Sequence, residues 1–205
     1  MDRVVLIAGP SCVGKTTFVK KLRSGELSEV TQALDLAPLT DWQYRDAYYA
    51  DEAMSQELTK QSVDKLFLHW TVAYPSLKVS LRRFLAGGSY EKAARLKLLQ
   101  NATRIDCLLL RAMPERLLER VKMREEVVRA RRAARKDSYW LFREKMANVR
   151  ALENLYADSA RLEALYQEWV VFCQSIPVSS IYEVDVSGNP SMTVIPMPEN
   201  HHPVG

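Results

Sequence analysis

Residues 4–17, VVLIAGPSCVGKTT, restrict the possible folds of this chain more than any other stretch. Gly9, Gly14, Lys15 and Thr16 meet the pattern G-x-x-x-x-G-K-[ST]. Average residue usage gives such a match by chance in roughly one chain per hundred of this length, so context decides. The apolar run "RVVLIAG" (3–9) before it has no helical period and reads as a buried strand. The "KTTFVKKLR" after it puts Phe18, Val19 and Leu22 on one helical face. Strand, glycine loop and helix in that order form a backbone cradle, because glycine permits the tight bend that turns successive N–H groups inward. The helix N-terminus adds its partial positive charge.

The rest of the chain repeats that alternation. Apolar runs predict strands at 31–36 (TQALDL), 65–75 (KLFLHWTVAYP), 105–112 (IDCLLLRA) and 180–188 (SIYEVDVSG). Helical patterns fall at 41–61, at 89–102 after Gly87-Gly88, from Pro114 onward, and as one long helix over roughly 138–173. Strands alternating with helices imply a three-layer α/β fold, a mostly parallel sheet with helices on both faces. With 205 residues and 47% hydrophobic composition, one domain over 1–188 is expected, followed by an irregular tail, 189–205. His201-His202 in that tail make a poor metal-ligand set.

Charge is unevenly placed. The net +4 contains a segment, 116–136, with nine Lys/Arg against three Asp/Glu, so the remainder is near −2. Such a segment reads either as an anion site or as a solvated helix face. No run approaches a membrane span and the N-terminus lacks the order of a signal peptide, so a cytoplasmic protein is expected. Cys12, Cys107 and Cys173 are odd in number and without metal or disulfide spacing, and read as reduced thiols.

"LIAGPSCVGKTTF" resembles the opening of P-loop small-molecule and nucleotide kinases, most closely the guanylate-kinase-like G-P-S-x-V-G-K form. "LLLRAMPERLLERVKMRE" is similar to the strand, Pro-bearing loop and Arg-rich lid helix of that superfamily. The likeness is specific in the first 20 residues, weak around 105–135 and absent elsewhere. It implies a cradle of Gly9, Ser11, Cys12, Val13, Gly14, Lys15, Thr16 and Thr17 around ATP. Lys15 would reach the β and γ phosphates and the Thr16 hydroxyl would join the Mg²⁺ shell. Cys12 holds a variable loop position and reads as filler. The resemblance also implies that Arg120 and Arg124 approach the triphosphate, within a lid region 116–137 closed by arginines at 129–135. Arg116, Arg120 and Arg124 at i, i+4 and i+8 form one stripe, and guanidinium suits phosphate recognition.

The departures matter too. The strand-end Asp that often holds Mg²⁺ is missing, because "LFLHWTVAYP" offers only His69, Trp70 and Thr71. His69 among apolar residues reads as a core histidine. Asp35, after the expected second strand, is the first candidate for the base that deprotonates an acceptor hydroxyl, with Asp41 and Asp46 behind it. Trp42, Tyr44, Tyr48 and Tyr49 suit either substrate stacking or a core-facing helix.

The expectation is an ATP- and Mg²⁺-dependent phosphotransferase acting on an unidentified small molecule or nucleotide. Three alternatives stay open. A GTPase-type switch would need N-K-x-D, which this sequence lacks, and a D-x-x-G after the third strand, whereas the match here lies at 185–188. A polynucleotide kinase would use 116–136 as a phosphate track. A P-loop sulfotransferase usually lacks the full loop pattern seen here.

Overall fold

The computed structural model describes residues 1–46, 63–69, 99, 102–174 and 178–197. Its elements are β1 (Arg3–Ala8), α1 (Lys15–Arg23), α2 (Ser28–Ala33), β2 (Trp42–Asp46), β3 (Lys65–His69), β4 (Arg104–Arg111), α3 (Pro114–Ala133), α4 (Tyr139–Tyr156), α5 (Ser159–Gln174), β5 (Ser180–Asp185) and β6 (Ser191–Ile195). They form an α/β fold on a six-stranded sheet of order β2-β3-β1-β4-β5-β6. Pairings from β2 to β5 are parallel, and β6 closes one edge antiparallel to β5.

β1 is central, and Val4 to Ala8 are all fully buried. A strand covered on both faces needs a continuous apolar run rather than alternation, which is why "VVLIA" was readable. Its neighbours obey the same rule, with Leu66 to Leu68 and Cys107 to Leu110 fully buried. Parallel register then brings the carboxyl ends of β1, β2 and β3 together, with Ile7 opposite His69 and His69 opposite Asp46.

The amino edge of the sheet is held by charge. Arg3 Nε donates to Asp106 Oδ2 at 2.7 Å, while its Nη2 donates to the Leu34 carbonyl at 2.6 Å. Arg104 donates to the same buried carboxylate at 3.2 Å. Removing Arg3 would leave Asp106 short of its closest partner in the interior, a loss of about 3–5 kcal/mol where a buried pair is broken.

Four expectations are corrected. Residues 31–36 are not a strand: Thr31 to Ala33 are the end of α2, with Leu27, Val30 and Leu34 buried at helical spacing, and Leu36 is buried just beyond the helix. The stretch from 41 opens not as a helix but as β2, whose Trp42 stacks on Phe67 at 4.5 Å. The long helix is two, because Asp158 Oδ1 accepts from the backbone N–H groups of Ala160 and Arg161, both at 3.1 Å, and starts α5 afresh. The tail is not wholly irregular, since β6 pairs Ser191 with Asp185 through Ile195 with Ile181. The helical continuation over 47–61, Trp70 and Thr71, almost all of 89–102, and His201-His202 lie outside the described residues.

α3 starts with Pro114 at its first turn and buries Leu117, Val121 and Val128 against α4. α4 is capped by Ser138 Oγ, which accepts from the Leu141 N–H at 3.2 Å. Together they make an antiparallel helical hairpin whose turn surrounds the buried Asp137 carboxylate. Arg131 donates to that carboxylate at 3.1 Å and Lys145 at 2.8 Å. No helix among the described residues is long and apolar enough to cross a membrane.

Candidate functional site

The loop after β1 folds as its glycines dictate. Gly9 has φ +130°, and a Cβ there would stand 2.6 Å from the Leu110 carbonyl oxygen of β4. Cys12 (φ 64°) and Gly14 (φ 101°) repeat the left-handed geometry. Left-handed residues at these three positions curve the loop, the kind of backbone geometry from which anion nests are made, and it opens directly into the N-terminus of α1. Val13, fully buried, pins the loop to the core.

Lys15 is the first residue of α1 and only 7% exposed. Its Nζ donates to the carbonyls of Gly9 and Pro10, both at 2.8 Å. The ammonium is thus folded back over the nest.

α3 supplies the facing wall. Arg120 donates to the Val13 carbonyl and, at 3.3 Å, to the Val186 carbonyl beyond β5. Arg124 Nη1 donates to Ser11 Oγ at 3.0 Å. From α4, the Tyr156 hydroxyl donates to the Ser11 carbonyl at 2.6 Å. Burial pushes the Tyr156 phenol well above its ordinary range. The expected stripe is therefore split: Arg120 and Arg124 grip the loop, while Arg116 pairs with Glu119 at 3.0 Å on the surface.

These groups enclose a cleft of about 580 Å³, within the size range of small-molecule sites. Ser11, Val13, Gly14, Lys15, Thr16 and Thr17 line its floor, with Cys12 among them. Lys21, Arg120 and Arg124 add positive charge, and no carboxylate lines the cleft among the described residues. The cleft thus gathers Lys15, Lys21, Arg120 and Arg124 around a glycine loop at a helix N-terminus. Thr16 is exposed to it, so its hydroxyl is the described group best placed for a hard cation held mainly by ligand oxygens.

Two cleft components were not foreseen. His69 is 6% exposed yet lines the cleft, and its Nδ1 lies 3.0 Å from the Tyr44 hydroxyl. It is the buried, hydrogen-bonded histidine expected, and it also forms part of the cleft wall. Its place at the carboxyl end of β3 was the available signal. Val186, Gly188 and Pro190, from the turn between β5 and β6, close another side, and only the missed strand β6 would have pointed to them.

The acids separate clearly. Arg3 Nη1 donates to the Asp35 carbonyl at 3.0 Å, and Arg3 opens β1. Asp35 therefore sits at the amino end of the sheet, about a strand's length (~16 Å) from the glycine loop, and is corrected as a base candidate. Asp41, 3.5 Å from Lys65 at the start of β3, is at the same wrong end. Asp46 closes β2 opposite His69, on the loop's side of the sheet. Trp42 is core, its Nε1 donating to the Leu36 carbonyl at 2.8 Å. The arginines expected to form a closing lid do not line the cleft. Arg129 pairs with Glu125 at 2.6 Å, Arg131 with Asp137, and Arg132 donates to the Asp137 carbonyl at 3.1 Å.

A scan of protein-family models finds no match to this chain, and a search of curated proteins finds none.

Proposed function

We propose that this chain is a P-loop phosphotransferase of three-layer α/β architecture that moves the γ-phosphate of ATP to a small-molecule or nucleotide acceptor. The observation that carries the reading is the buried Lys15 ammonium folded over a left-handed nest, with Arg120 and Arg124 on the opposite wall. The nest takes phosphate oxygens through backbone N–H groups, and Lys15 exchanges two carbonyls for the β and γ phosphates. Arg120 and Arg124, lining the same cleft, would stabilise the charge that develops as the phosphoryl group leaves, as preorganised cations do.

The sheet order supports the reading. The connection after β1 runs to one side of the sheet and β4 lies on the other, so the loop stands at a topological switch point beyond strand carboxyl ends. The Thr16 hydroxyl and the triphosphate oxygens would hold Mg²⁺, which supplies charge neutralisation between the phosphates. Of the three acids weighed as base, Asp46 is the one whose backbone stands at the carboxyl end of its strand, opposite His69, and it is taken for that role.

The test is isothermal titration of ATP, GTP and 3′-phosphoadenosine 5′-phosphosulfate, with and without Mg²⁺, against the wild-type chain and Lys15→Ala. Mg²⁺-dependent ATP binding that Lys15→Ala abolishes is the expected result. Binding of the sulfate donor alone, or triphosphate binding that survives Lys15→Ala, overturns the proposal.

A further inference from the structure

The α3–α4 hairpin carries a second basic surface that the cleft does not use. Residues 129–150 hold eight Lys/Arg against two Asp/Glu. A groove of about 320 Å³ between the two helices is lined by Arg129, Phe142, Arg143, Met146, Ala147 and Arg150. At its end stand Trp140, 75% exposed, and Tyr139, 54% exposed, their rings edge to face at 6.1 Å. Arg143 Cζ lies 5.8 Å from the Tyr139 ring and 6.0 Å from the Trp140 ring. Neither Arg143 nor Arg150 has a carboxylate partner among the described residues.

Helical geometry separates this face from the cleft. At 100° per residue, Arg129 lies about 140° around α3 from Arg124, the cleft residue. On α4, Tyr139, Arg143 and Arg150 share one stripe at four- and seven-residue spacing. Solvent-exposed aromatic rings beside the Arg143 guanidinium, along a groove lined by Arg129 and Arg150, are the arrangement that stacks unpaired bases while tracking their phosphates.

We propose that this face binds single-stranded nucleic acid, with bases on Trp140 and Tyr139 and phosphates along Arg143, Arg150 and Arg129. A paired duplex has no open base for the rings to meet. A second copy of the same face would set its positive charge against its own kind, which disfavours symmetric association.

The experiment is fluorescence anisotropy of fluorescein-labelled dT20 and U20 with the full chain, between 50 and 200 mM salt. The two probes distinguish DNA from RNA, and binding of either supports the proposal. Three phosphate contacts on a single strand should cost about 20-fold in affinity over that salt range. Trp140→Ala should weaken binding about five-fold or more. Arg143→Gln with Arg150→Gln should lower the log–log salt slope by about 1.4. All three positions are exposed, so an unchanged thermal midpoint certifies the fold of each variant. Lys15→Ala should leave oligonucleotide binding intact and Trp140→Ala should leave ATP binding intact, which keeps this surface and the cleft separately testable. No binding of either probe at 50 mM salt, or binding unaltered by the variants, overturns the proposal. So do loss of oligonucleotide binding in Lys15→Ala and a shift in sedimentation on Trp140→Ala without any probe binding.

Discussion

The Tyr156 hydroxyl donates to the Ser11 carbonyl at 2.6 Å, joining the end of α4 to the glycine loop across 145 positions of sequence. The loop is therefore shaped by the far half of the chain as well as by its own glycines. Tyr156→Phe should lower stability by about 1 kcal/mol and weaken triphosphate binding, as measured by denaturant unfolding and calorimetric titration. Undiminished affinity in a normally folded variant would show that the loop holds its shape without α4.

Two phenols should make the protein sensitive to alkali. Burial raises Tyr156 far above the ordinary phenol value and pushes Tyr166 up to about 12. Protons then stay on the folded chain while the unfolded chain releases them, so this stability is complete below pH 10 and falls as pH rises beyond it. Each phenol adds a slope of about 1.4 kcal/mol per pH unit. Unfolding curves from pH 8 to 11 should be steeper in pH for wild type than for Tyr156→Phe.

Gly9→Ala should be among the most damaging small substitutions in this chain. The new methyl would meet the Leu110 carbonyl at 2.6 Å, on backbone with φ +130°. Both problems involve main chain, which cannot swing aside, and a loss of about 2–4 kcal/mol follows. Gly14→Ala shares the positive-φ strain, at φ +101°, but its methyl meets only the movable Arg120 side chain at 3.2 Å, so it should unfold the protein less and perturb ligand binding more.

For the reaction, Asp46→Asn and Asp35→Asn make a discriminating pair. Asp35 has φ 50°, a conformation asparagine accepts, and lies at the amino edge of the sheet. Asp35→Asn should be stable and fully active in ATP turnover with the acceptor that screening yields. Asp46→Asn should bind ATP normally and turn over about 10²- to 10⁴-fold more slowly.

The hairpin turn should loosen in acid. The Arg131 bond, then the Lys145 bond, holds the Asp137 carboxyl below its ordinary 3.8. Its contribution is present above that value and is lost as pH falls through the lower folded-state value. The difference in thermal midpoint between wild type and Asp137→Asn should therefore be largest near neutrality and shrink below about pH 4.

What the sequence disclosed follows from where each element sits. β1 and β4 are covered on both faces, so their unbroken apolar runs could only be buried strands. β2 is an edge strand with the mixed sequence WQYRD, which looks no less like the start of a helix. That one error carried Asp35 into the site, because a strand ending at 36 would have placed it beyond the sheet's carboxyl edge, where Asp46 stands. The glycine loop was legible because its backbone conformation demands particular residues. Its tethers, Tyr156 and the Val186 carbonyl, were not, since hydrogen bonds to main chain leave no mark on sequence spacing. Cys107 and Cys173 show the same limit: 66 positions apart, they meet in the core with sulfurs at 3.0 Å.

The Lys15 ammonium, 7% exposed and resting on two neutral carbonyls, has already surrendered most of its water in the unliganded protein. Its dehydration is thus charged to folding and not to ligand capture, so the proposed triphosphate would meet an ammonium that has little water left to shed. Lys15→Met should therefore cost far more in affinity for triphosphate, read by calorimetric titration, than in thermal midpoint.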